Sequence, residues 1–164
     1  MNGAQLHLAL IHFPVAGVFF ALLLLTHAFW KKNGDVLNVA LGFLVLTGLA
    51  GLAAYWTGEG AEEVVEKAAS VAGGWIHTHE EAAEAALIAL EIAAALARGG
   101  LVFFRRSGGP RPAYVGAVIG ATILAAGLLG RAAHHGGQIR HTEVRPPSAA
   151  DAPASKESPD DHAH

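Results

Sequence analysis

The sequence has no cysteine, which excludes a disulfide, a thiolate-held iron–sulfur cluster and a covalently attached c-type haem. It is also short of charge. Only 15% of its 164 residues are Asp, Glu, Lys or Arg, against 52% hydrophobic residues and a mean hydropathy of +0.38. That balance is too apolar for an ordinary soluble domain and fits a polytopic membrane protein. There is no positive excess either. Eleven Lys and Arg face 14 Asp and Glu, a net charge of -3, so the basic face that nucleic acid requires is missing. The opening MNGAQLH lacks the basic stretch of a cleaved signal peptide, and the apolar run behind it is too long for one, so the expectation is a retained first span. No HExxH, no Glu-x-x-His repeat, no Gly-rich phosphate loop and no GxSxG elbow occurs, and the reading is therefore not an enzyme.

What is present is apolar length. From Met1 to Trp30 there is no Lys, Arg, Asp or Glu, and about 20 apolar residues cross a bilayer. A short turn, Lys31-Lys32-Asn33-Gly34-Asp35, leads to a second uncharged run, Val36 to Gly58, closed by the interfacial aromatics Tyr55 and Trp56. A third run, His79 to Phe104, is interrupted by Glu84 and Glu91 but ends in LVFF followed by Arg105-Arg106. The fourth, from Ala113, is uncharged to Gly130 and carries Gly116 and Gly120 at GxxxG spacing, the spacing that lets helices approach closely. Between spans two and three, Ala61, Val64, Val65, Ala68, Val71 and Ala72 recur at helical spacing opposite Glu62, Glu63, Glu66 and Lys67. This predicts a short amphipathic helix lying on the membrane surface. The expected fold is thus all-α: an integral membrane four-helix bundle with spans of about 4–30, 36–58, 79–104 and 113–133. It occupies residues 1–141 and is followed by a disordered tail, 142–164, of Pro, Ser, Ala and Asp.

The loops set an orientation. Lys31, Lys32, Arg98, Arg105, Arg106 and Arg111 lie at the two hairpin turns with only Asp35 against them, whereas the connector 59–81 is strongly acidic. The positive-inside rule then puts both turns in the cytoplasm and both termini outside, in the periplasm of a bacterial inner membrane. His7, His12, His77, His79, His134, His135 and His141 all fall at that outer level, and His27 at the inner one. Any single imidazole at an interface is unremarkable; the convergence of several is a candidate site. Neutral imidazole is the commonest metal ligand and the axial ligand of b-type haems.

His12 leads as a ligand, being the deepest of the outer histidines and close to Pro14, which opens the helix backbone. His79 and His134 are its expected partners, with His7, Glu80 and His141 as supporting or alternative ligands and Arg140 available to haem propionates. The alternative to haem is a copper, zinc or iron ion on His7, His12, His79, Glu80, His134 and His141. Farther down, Glu91 falls near mid-membrane on the same helical stripe as His77 and Glu84. It reads either as part of a proton relay or, as favoured here, as a protonated acid bonded to Thr47 or Thr122.

LHLALIHFP at the start, TGEGAEEVVE after span two, HEEAAE opening span three and HHGGQIRHTE after span four together resemble the small bacterial membrane proteins grouped as domain of unknown function 2231. The resemblance covers nearly all of residues 5–144. It implies a four-span helical membrane protein and brings no established activity. The pattern matches at His7, His12, His79 with Glu80, His134 with Gly136-Gly137, and Arg140-His141, while His77 and His135 are additions. Some relatives are similar in layout to the four-helix bundles of b-type cytochromes, which favours haem. The sequence therefore leads to a small membrane protein holding b-type haem or a transition metal at its periplasmic face for electron transfer, serving a periplasmic redox partner. The alternative is a cofactor-free scaffold or accessory subunit whose GxxxG face packs on a larger complex or on a second copy.

Overall fold

The computed structural model describes residues 3–58, 60–61, 73–107, 111–141 and 145. Among them are four long helices: α1 (Gly3–Lys31), α2 (Gly34–Trp56), α3 (Gly73–Ser107) and α4 (Pro112–Arg140). Each is long and apolar enough to cross a membrane. They form an all-α, up-and-down bundle in which α1 packs on α2, α2 on α3, α3 on α4 and α4 back on α1. The fold is that of a small integral membrane protein.

Local chemistry fixes where the helices stop. At the end of α1 the chain turns through Lys32, which takes the left-handed conformation at φ 52°. The Asn33 amide then reaches back to the Ala28 carbonyl at 3.0 Å and the Lys32 amide to that of Phe29 at 3.4 Å. This is a Schellman closure, usually built on glycine. Asn33 also starts α2, its side-chain oxygen accepting from the amides of Asp35 and Val36 at 3.1 Å each, as an N-cap does. Pro112 at the first turn of α4 needs no helical amide partner. At the same end Tyr114 donates its hydroxyl to the Leu96 carbonyl at 2.7 Å and stands edge-on to Phe104, tying α3 to α4.

The outward surface is apolar. Phe20, Leu23, Leu46, Ile88, Ile123 and Leu124 are all exposed, as side chains facing lipid are. Because lipid is as apolar as leucine, burial alone gives little drive to associate, and the helices are held by close packing. The inward faces are accordingly small: Ala89, Ala93 and Ala97 line the buried face of α3 in one cluster with Leu41, Leu44, Val18 and Val118, and Ala82 and Ala86 form a second cluster with Ala132 of α4. α2 and α3 approach closely at Gly48, where an added Cβ would stand 2.7 Å from that of Ala94.

Two boundaries differ from the sequence expectation. α3 begins at Gly73, so Trp75 and His77 already lie in the helix. α4 runs on through His134-His135-Gly136-Gly137 to Arg140; Gly136 meets the His79 ring of α3, while Gly137 has open space beside it. The surface helix expected over 61–72 lies outside the described residues except for Ala61. So does the tail, except for Arg145.

Candidate functional site

The up-and-down arrangement carries the start of α1, the end of α2, the start of α3 and the end of α4 to one end of the bundle. The convergence of histidines is real at the level of the elements. What each imidazole does depends on which way it faces around its helix.

His7 and His79 face inward. His7 Nδ1 lies 2.9 Å from the Ala54 carbonyl oxygen and 3.3 Å from Thr57 Oγ1. Ala54 is in the last turn of α2, where carbonyls have no helical amide to accept from, so the imidazole closes the end of that helix while joining it to α1. His79 Nδ1 lies 3.0 Å from the Ala132 carbonyl, across from α3 to α4. Ala132 is well inside α4, so its carbonyl already faces the helical amide of Gly136, and His79 adds a second donor. Room for the ring exists because residue 136 is glycine: a Cβ there would meet His79 Cε1 at 3.1 Å and Nδ1 at 3.2 Å.

A carbonyl oxygen only accepts, so Nδ1 carries the proton in both rings and Nε2 keeps its lone pair. His135 follows His134 near the end of α4, at the same end of the bundle as His7 and His79. His135 is partly buried with Nδ1 3.1 Å from Gln138 Oε1.

The other expected ligands stand elsewhere. His12 is exposed, five residues from His7 and on another side of α1, with Nδ1 2.6 Å from its own helix's Leu8 carbonyl. His134 is exposed, its ring 5.7 Å from that of His135. Glu80 is exposed, and His141, also exposed, is the cap at which α4 ends. The side chain of Arg140 lies outside the described residues. His77 pairs at 3.3 Å with Glu81, both on the surface. Among the described residues no three His, Asp or Glu side chains lie close enough together to hold a metal ion.

Two participants escaped the sequence reading. Arg145 donates Nε to the Gln138 carbonyl at 2.7 Å and a terminal nitrogen to that of Ile139 at 3.0 Å. Its guanidinium stacks over Trp75 at 5.3 Å, so it binds the end of α4 to the start of α3. Gln138, buried at the same place, had no signal in the pattern beyond its position next to the paired glycines.

Glu91 also departs from expectation. Thr47 and Thr122 donate to carbonyls of their own helices, Phe43 at 2.8 Å and Val118 at 2.7 Å, and neither meets the carboxyl. Among the described residues Glu91 Oε1 is buried without a hydrogen-bond partner. Compared with family models, curated proteins and solved structures, the chain matches none.

Proposed function

We propose that this small membrane protein binds a redox cofactor, b-type haem, at the histidine end through His7 and His79 and passes electrons there. One observation carries the reading: two imidazoles from different helices are each anchored through Nδ1 to a carbonyl of a neighbouring helix, leaving Nε2 as the donor. An anchor of this kind on the far ring nitrogen is what orients and tautomer-locks a metal-binding histidine. The donor set fits the group, since haem iron asks the protein for two axial ligands, whereas a copper, zinc or iron ion asks for more. His135 and Arg145 would line the same mouth. Haem would supply the electron-carrying iron, and His7 and His79 would hold it through Nε2, oriented by their Nδ1 bonds to Ala54 and Ala132. We place the histidine end in the periplasm of a bacterial inner membrane by the charge of the turns.

A second reading has its own observation. Gly116, Gly120 and Gly127 are exposed on α4 with open space beside them, which supports an accessory subunit docking that helix on a larger complex. A dithionite-reduced minus oxidised visible spectrum of the detergent-purified, haem-supplied protein separates the two. Sharp six-coordinate b-haem bands that disappear in His7→Ala and His79→Ala bear out the first reading. A flat spectrum from folded protein ends it, and co-purification with a larger assembly then speaks for the second.

A further inference from the structure

Among the described residues the centre of the bundle holds one ionisable side chain. Between His12 and His27 α1 has none, nor has α2 between Asp35 and Tyr55 or α4 between Tyr114 and Arg131. On α3 Glu91 stands alone between Glu84 and Arg98. At 1.5 Å per residue its Cα is about 25 Å along the helix from Gly74 and about 20 Å from Phe104, deep in the hydrocarbon on either count. Its carboxyl lies in the notch between α2 and α3, where a Cβ at Gly48 would stand 3.2 Å from Oε1 and 3.5 Å from Oε2. Oε1 is buried and unpartnered, while the residue as a whole is partly exposed on the outer face of the bundle.

Among the described residues no cation compensates a carboxylate there. The nearest ionisable groups on its own helix, Glu84 and Arg98, are each seven residues away, about 10 Å, and both are exposed. A bound metal cation needs several oxygens around it, yet the Thr47 hydroxyl is turned onto the Phe43 carbonyl and packs on Gly17, on the other side of α2. A bare carboxylate in hydrocarbon is costly and takes up a proton instead.

We propose that Glu91 is a proton-binding site at mid-membrane, occupied at rest by a single proton and open to the lipid side of the α2–α3 notch. Its ligand is the proton alone. The site is independent of whatever the histidine end binds. Releasing the proton places a charge against Gly48 and Ala94, so exchange requires that seam to loosen.

An apolar carbodiimide supplied through the bilayer tests this, because it reacts with the neutral acid. The acid proton moves to one carbodiimide nitrogen, the carboxyl oxygen bonds to the central carbon, nothing leaves, and an acyl shift gives a stable acylurea. On wild-type protein in liposomes, peptide mapping should find the adduct on Glu91. Its yield should change less than about twofold between about pH 6 and pH 8. An infrared carbonyl band of a protonated carboxyl at neutral pH should be present and should vanish in Glu91→Gln of unchanged helicity. If Glu91 stays unlabelled in protein whose exposed carboxyls react at low pH, or if the band is absent from the wild type, the proposal is overturned.

Discussion

The two ends of α3 and its middle obey different rules. At the histidine end, the imidazoles of His7 and His79 and the Arg145 guanidinium all reach carbonyls on other segments. At the centre, Thr47 and Thr122 turn back on their own helices and the Glu91 carboxyl has an oxygen with no partner. The mouth is joined by hydrogen bonds across helices, and the middle by shape, through glycine and alanine. Stability should therefore reside mostly in the middle. Chemistry should reside at the atoms left with something to donate or accept, Nε2 of the two anchored histidines and the carboxyl of Glu91.

The sharpest way to break that contrast is Gly48→Leu. Its Cβ alone would stand 2.7 Å from the Ala94 Cβ, so α2 and α3 must separate. We expect a loss of about 3 kcal/mol, as for overpacking a dense core, read as a lower thermal midpoint in detergent. An unchanged midpoint would mean that close approach does not hold the centre. Glu91→Met has the opposite sign. Replacing a buried, unpartnered oxygen by an apolar chain of similar length should raise stability by about 1–2 kcal/mol. A fall instead would show that the carboxyl makes a stabilising bond and that the centre resembles the mouth.

Much of this arrangement was legible in the residues. Long uncharged runs gave the four helices, and the charged turns read at 31–35 and 98–112 implied the up-and-down order that collects the histidines at one end. Direction around each helix was not legible to the same degree. His7 and His12 are five residues apart, about 140° around an α-helix, so one bundle face cannot hold both. Depth and the nearby Pro14 favoured His12; which side α2 occupies is a long-range fact, and it selects His7. The role of Gly136 is hidden for the same reason, since the seat it provides belongs to a ring 57 positions earlier in the chain. Glu91 is the reverse case. Its depth was plain from the sequence, but its lack of a partner depends on the rotamers of two threonines that had other carbonyls within reach.

Smaller effects test the mouth. Gly136→Val should push the His79 ring from its seat and cost about 1–2 kcal/mol, a little more than the bond itself. His79→Ala and His7→Ala should each cost about 1 kcal/mol, the range of single hydrogen bonds between membrane helices. Either loss should be measurable by thermal unfolding in detergent even if no cofactor is ever found, because the anchoring bonds are there regardless.

The smallest effect expected is also the most discriminating. His12 is exposed, and among the described residues its imidazole bonds only to the Leu8 carbonyl within the same turn of α1, so it joins no two helices. His12→Ala should leave the thermal midpoint within about 0.5 kcal/mol, as surface substitutions do, and should leave any visible haem spectrum unchanged. His7→Ala, made beside it, differs by five positions on the same helix, and should move both. If His12→Ala bleaches the spectrum while His7→Ala does not, the ligand comes from the outer face of α1, and the bonds of His7 to Ala54 and Thr57 are purely a clasp between helices.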